Sequence, residues 1–109
     1  MEYKYIVNRP YWNSNSHPES GELRHEFFSN HYAYVWYERE LTKEEIKEYD
    51  IIPIYIIEGL IGKSFKSNGF TIELLSLDRY YCTARYTSKE ENITGTDSFH
   101  VNDILDMLE

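Results

Sequence analysis

Several short groups of residues in this chain have types and spacings suited to chemistry, and none completes a catalytic pattern. The alternation Arg79-x-Tyr81-x-Thr83-x-Arg85 sets two guanidinium forks, a phenol and a hydroxyl on one side of an extended segment. With Lys63 and Lys66 upstream, such a face suits phosphate or a single-stranded nucleic acid. The same arginines can instead pair with acidic groups of this chain or of a protein partner. Gly59-Leu60-Ile61-Gly62-Lys63-Ser64 ends like a phosphate loop, but that loop needs four residues between its glycines. Ile57 stands where the first glycine would have to be, so the segment reads as a glycine-rich turn.

His17, His25, His31 and His100 are scattered, with no HExxH motif and no cysteine pair to organise them, so no metal site and no cofactor is expected. The single cysteine, Cys82, rules out an intrachain disulfide and reads as a buried thiol between apolar neighbours. Glu44 and Glu45, like Asp103 and Asp106, fall at expected helix starts, where exposed amides favour negative charge. General acid–base work needs two carboxyls whose surroundings separate their proton affinities, and spacing does not supply that. No catalytic residue is assigned.

Binding by an apolar anchor is a different prospect. Tyr11 and Trp12 lie in NRPYWNSNSHPESGE, a loop expected over residues 9–22, and exposed aromatics there would make good anchors. The formal charge is −8, and residues 90–109 hold six acids and no lysine or arginine. Asp97, Asp103, Asp106 and Glu109 therefore form an expected acidic surface suited to a basic partner, including one that normally receives nucleic acid. Solubility alone is the plainer use of such charge.

These residues must be held by elements that the patterning partly reveals. Tyr3 to Val7 reads as a first strand, and residues 23–30 are ambiguous between helix and strand. Across residues 31–38, Tyr32, Tyr34 and Trp36 alternate with Ala33, Val35 and Tyr37. Both sides are apolar, which predicts an interior strand with a helix or second layer over the aromatic side. Thr42 and Glu45 have the spacing of a capping box, with Leu41 and Ile46 as a hydrophobic staple, so a helix is predicted to begin there. Pro53 ends it; residues 54–58 look strand-like, and Phe70 to Leu77 and Arg79 to Ser88 look like paired strands. The final NDILDMLE predicts a helix capped by Asn102 with Ile104, Leu105 and Leu108 inward.

The expectation is one α+β domain over residues 1–109, with a mainly antiparallel sheet of four to six strands and two short packed helices. Its 109 residues, 41% apolar and 17% aromatic, suffice for a modest core. Nothing at the start resembles an export signal, and IIPIYII is too short to span a bilayer, so a cytoplasmic location is expected. Asn92-Ile93-Thr94 is then a chance glycosylation match.

IVNRPYWN, followed by YERELTKEEIKEYDIIPIY, resembles small uncharacterised accessory proteins of bacterial phages and mobile elements. That resemblance implies a cytoplasmic accessory role, including inhibition of a host enzyme or defence protein. The leading reading is a non-enzymatic protein-binding factor that occupies a basic surface of a host protein through Tyr11, Trp12 and the acidic residues. One alternative is a nucleic-acid-binding regulator using Arg79, Tyr81 and Arg85. Another is an enzyme or small-ligand-binding domain assembled from dispersed residues. Whether the chain is a monomer or a dimer is left open by the sequence.

Overall fold

A computed structural model describes residues 2–13 and 15–109. The chain divides into two compact units, Met1–Tyr55 and Ile56–Glu109. Each contains a four-stranded antiparallel sheet, and the chain is α+β with sheet predominating. Eight strands lie among the described residues, more than the patterning suggested, because three short or polar strands carry little apolar signal.

In the first unit, β1 (Tyr3–Val7), β2 (Glu22–Phe27), β3 (Ala33–Tyr37) and β4 (Ile51–Ile52) take the order β2-β3-β1-β4. Interior β3 pairs with β1 in the register Tyr3 to Tyr37 through Val7 to Ala33. Tyr5, Val7, Val35 and Tyr37 then share one face and are fully buried. Helix α1 (Lys43–Tyr49) begins at the expected capping box. Thr42 Oγ1 accepts the Glu45 N–H at 3.1 Å, and Glu45 Oε1 accepts the Thr42 N–H at 3.0 Å. Leu41, Ile46 and Tyr49 pack on the Val35 and Tyr37 face. The helix therefore covers the side opposite to the one expected. Tyr34 and Trp36 stay half-buried on the other side, with Lys4 Nζ 4.3 Å from the Tyr34 ring and the Arg24 guanidinium 4.0 Å from Trp36.

Helix α2 (Ile54–Glu58) stands where a strand was expected. An unbroken apolar run carries no period to choose between the two, and Pro53, which lacks an amide hydrogen, suits the entry to a helix.

The second unit is a meander. Strands β5 (Ser64–Ser67), β6 (Phe70–Asp78), β7 (Tyr81–Ser88) and β8 (Ile93–His100) pair in sequence order, and α3 (Val101–Leu108) follows directly. Asn68 (φ 50°) and Gly69 (φ 83°) form the two-residue turn between β5 and β6, the hairpin that left-handed residues favour. Inward positions on β6 and β7 hold Ile72, Leu74, Cys82 and Ala84, all buried. Outward positions on β7 and β8 hold Thr83, Arg85, Thr87, Thr94, Thr96 and Ser98. The N-cap of α3 is His100 and not Asn102: its Nδ1 accepts the Asn102 N–H at 3.1 Å. Val101 and Ile104 are buried, whereas Leu105 and Leu108 are half-buried.

Candidate functional site

The loop over residues 8–21 leaves β1 at the level of the β2–β3 turn, and the Tyr11 N–H donates to the His31 carbonyl at 2.8 Å. It is tied elsewhere as well. Arg9 donates to the carbonyls of Asn15 (3.0 Å) and Glu48 (2.8 Å), and the Tyr37 hydroxyl donates to the Pro18 carbonyl at 2.5 Å. Gly21 closes the loop with φ 85°, and its missing Cβ leaves room for the Arg39 side chain. Arg39 in turn clamps Glu45 with two bonds of 2.8 Å.

Tyr11 and Trp12 are neighbours in this loop but do different things. Tyr11 turns inward and lies between two imidazoles, His17 with centroids 4.7 Å away and His25 at 4.3 Å. Trp12 turns outward and is 67% exposed. It is nonetheless held, stacked on Phe27 at 4.9 Å with planes 25° apart, its Nε1–H directed at the Asn30 carbonyl 3.4 Å away.

Under these rings, polar groups converge on Glu22. The Tyr11 hydroxyl donates to its Oε2 at 2.8 Å, and His17 Nε2 lies 2.8 Å from Oε1. A carboxylate only accepts, so His17 Nε2 carries a proton, while Nδ1 lies 2.5 Å from the Ser16 hydroxyl, which also donates to the Tyr11 carbonyl at 3.3 Å. The Tyr11 oxygen, having donated, accepts from His25 Nδ1 at 3.1 Å. Burial, and then the bond to Glu22 and its charge, push the Tyr11 phenol up to about 12.

Ser16, His17 and Glu22 thus line up in the order of an acyl-transfer triad, but Ser16 is 1% exposed and out of a substrate's reach. The network positions Tyr11; it does not offer a nucleophile. Beside it opens a cleft of about 460 Å³ lined by Tyr11, Trp12, Asn13, His17, Glu19 and Glu22. It combines one protruding indole with two carboxylates and no lysine or arginine. Among the described residues, no group of three or more histidine, cysteine or acidic side chains is placed to hold a metal ion.

The other expected site residues belong to the second unit. Asp103, Asp106 and Glu109 are exposed on or just beyond α3, and Asp97, also exposed, lies on the inward side of β8 paired with Ala84. Arg79 does not continue the alternation of Tyr81, Thr83 and Arg85. It occupies the β6–β7 turn with φ 53°, ahead of the strand. Arg85 pairs with Glu73 at 3.0 Å across the sheet. Lys66 and Tyr81 are exposed on the same outer face as Arg85, and Lys63 precedes β5. The basic surface expected from alternation is therefore interrupted by a carboxylate and lacks its first arginine.

Glu19 and Glu22 were not singled out by pattern, and His17 and His25 entered only as scattered histidines with no motif. The only available signal was His25 and Phe27 alternating on β2, and a bulge between Glu22 and Arg24 obscures how Glu22 joins them. No protein-family model, curated protein or solved structure matches this chain. No helix among the described residues is long and apolar enough to cross a membrane.

Proposed function

We propose that this chain is a non-enzymatic protein-binding factor, and that Trp12 with the carboxylates of the adjoining cleft is its anchor. One observation carries the reading: an indole 67% exposed is fixed by Phe27 beside Glu19 and Glu22. A free tryptophan side chain would lose rotamer freedom on binding, and one already held loses little. Its partner is a protein that offers an apolar pocket next to a lysine or arginine, which enters the cleft. The formal charge of −8 steers such a basic surface towards the chain and repels acidic competitors. Asp103, Asp106 and Glu109 contribute to that field.

A cytoplasmic inhibitor that covers a host protein's basic surface is the form of this reading that the expected resemblance of IVNRPYWN and YERELTKEEIKEYDIIPIY to phage and mobile-element accessory proteins would imply. The nucleic-acid reading is the weaker one, because Arg85 is bonded to Glu73 and Arg79 stands off the strand.

Affinity capture from bacterial lysate at near-physiological salt tests the reading, with wild type beside Trp12→Ala and Glu19→Lys. The expected result is one partner held by wild type and lost from both variants while both remain folded. No partner at all, or one retained equally by both variants, would sink the proposal.

A further inference from the structure

The inward side of β8 breaks the pattern of the sheet it belongs to. Its outward residues Thr94, Thr96 and Ser98 are polar, as an amphipathic strand requires, but its inward residues include the carboxylate of Asp97 between Gly95 and Phe99. Asp97 faces a cleft of about 380 Å³ walled by Phe70, Ile72, Tyr86, Phe99 and Met107, with Ser67 and Asn68 also lining it. No lysine or arginine lines it. The Ser98 N–H donates to one Asp97 oxygen at 2.8 Å and fixes the carboxylate at the apolar wall.

The aromatic walls form a three-sided box. Tyr86 stands between Phe70, at 6.1 Å and 78°, and Phe99, at 6.4 Å and 81°, so both outer rings are nearly perpendicular to it. Tyr86 lies over Gly95, where a Cβ would fall within 2.3 Å of its hydroxyl oxygen. The missing side chain at residue 95 is what lets the ring occupy that position.

We propose that this cleft binds a small quaternary ammonium cation. Aromatic faces attract a cation through their quadrupole, even where the rings are half-buried. A primary ammonium would give up hydration against walls made mostly of carbon, which Ser67, Asn68 and Asp97 replace only in part. A quaternary nitrogen has no N–H donors to satisfy, and its methyl groups match the apolar lining. Asp97 supplies the compensating charge and selects the cation over a neutral molecule of the same shape. This site belongs to the second unit and is independent of the Trp12 anchor in the first.

Titration of the full chain with choline, followed by amide and methyl resonances, tests the assignment against dimethylbutanol, the neutral compound with carbon in place of nitrogen. Saturable shifts at Ser98, Phe99 and Met107 are expected with choline, at a dissociation constant on the order of 0.1–1 mM. Dimethylbutanol is expected to bind at least about tenfold more weakly. Asp97→Asn, at an exposed position that tolerates change, and Phe99→Leu, which keeps apolar volume, should each weaken choline about fivefold or more. Equal binding of the neutral compound, or an unaffected Asp97→Asn variant, would overturn the proposal. So would absence of saturation with choline, or binding to phosphatidylcholine vesicles without binding to free choline.

Discussion

Trp12 lies almost parallel to Phe27, their ring centroids 4.9 Å apart, while most of the indole faces water. An aromatic side chain left that exposed contributes little to the fold, and its orientation is set by the ring beneath it and by the Asn30 carbonyl. Trp12→Ala should therefore change unfolding free energy by no more than about 0.5 kcal/mol. Phe27→Ala should instead release the indole. In a Trp36→Phe background, acrylamide quenching of the remaining tryptophan should rise on adding Phe27→Ala. Unchanged quenching would show that the Asn30 carbonyl, not Phe27, holds the ring.

The Glu22 network separates stability from binding. Removing its carboxylate leaves the nearly buried His17 Nε2–H and the half-buried Tyr11 hydroxyl without an acceptor. Glu22→Ala should then cost about 1–3 kcal/mol in urea unfolding. Glu19→Ala, at an exposed residue of the same cleft, should stay within about 0.5 kcal/mol. Equal costs would mean that Glu22 is solvated and the convergence on it is unimportant.

How far each feature could be read from sequence depends on how local its cause is. The Thr42–Glu45 box spans one helical turn, and the alternation of residues 31–38 is a property of a single strand, so both were legible. Strands β5 and β8 were not, because Ser64, Lys66, Thr94, Thr96 and Ser98 place polar groups on an outward face without a strong apolar partner set. Arg79 was misread because the turn puts a non-glycine residue at φ 53°, which no composition rule signals. The Tyr11, His17 and Glu22 cluster needs a loop folded back on a bulged strand, and its bonds cross 5 and 11 positions of sequence. Trp12 was recognised as a candidate anchor, but only the stack on Phe27 distinguishes a held ring from a loose one.

Acid should weaken the junction of loop and helix through one identifiable carboxyl. The two Arg39 bonds, followed by the Thr42 amide, hold Glu45 down at about 2, below its ordinary 4.5. A depressed folded-state value contributes stability that is present above the unfolded value and lost as pH falls through the folded one. Stability should therefore drop between about pH 4.5 and 2, and the drop should shrink in Arg39→Met. Both side chains are partly solvated, so screening reduces the effect, and added salt should flatten the same limb. Identical acid limbs in wild type and Arg39→Met would assign the loss to other carboxyls.

Gly95 and Tyr86 give the sharpest packing test. A Cβ at residue 95 would meet three atoms of the Tyr86 phenol, at 2.3, 2.4 and 2.8 Å, so the ring must leave its place between Phe70 and Phe99. Residue 95 is not at positive φ, so backbone strain is not the cause, and the penalty belongs to the side-chain collision. Gly95→Ala should cost about 1–3 kcal/mol, the usual range for forced repacking. Removing the phenol oxygen alone should not relieve it, since the ring carbon Cζ is as close as the hydroxyl. Tyr86→Phe should therefore rescue little, whereas Tyr86→Leu should make Gly95→Ala nearly neutral in a double-mutant cycle. Additive costs in the Leu cycle would show that the two positions do not share space, and the aromatic box would lose the support it takes from Gly95.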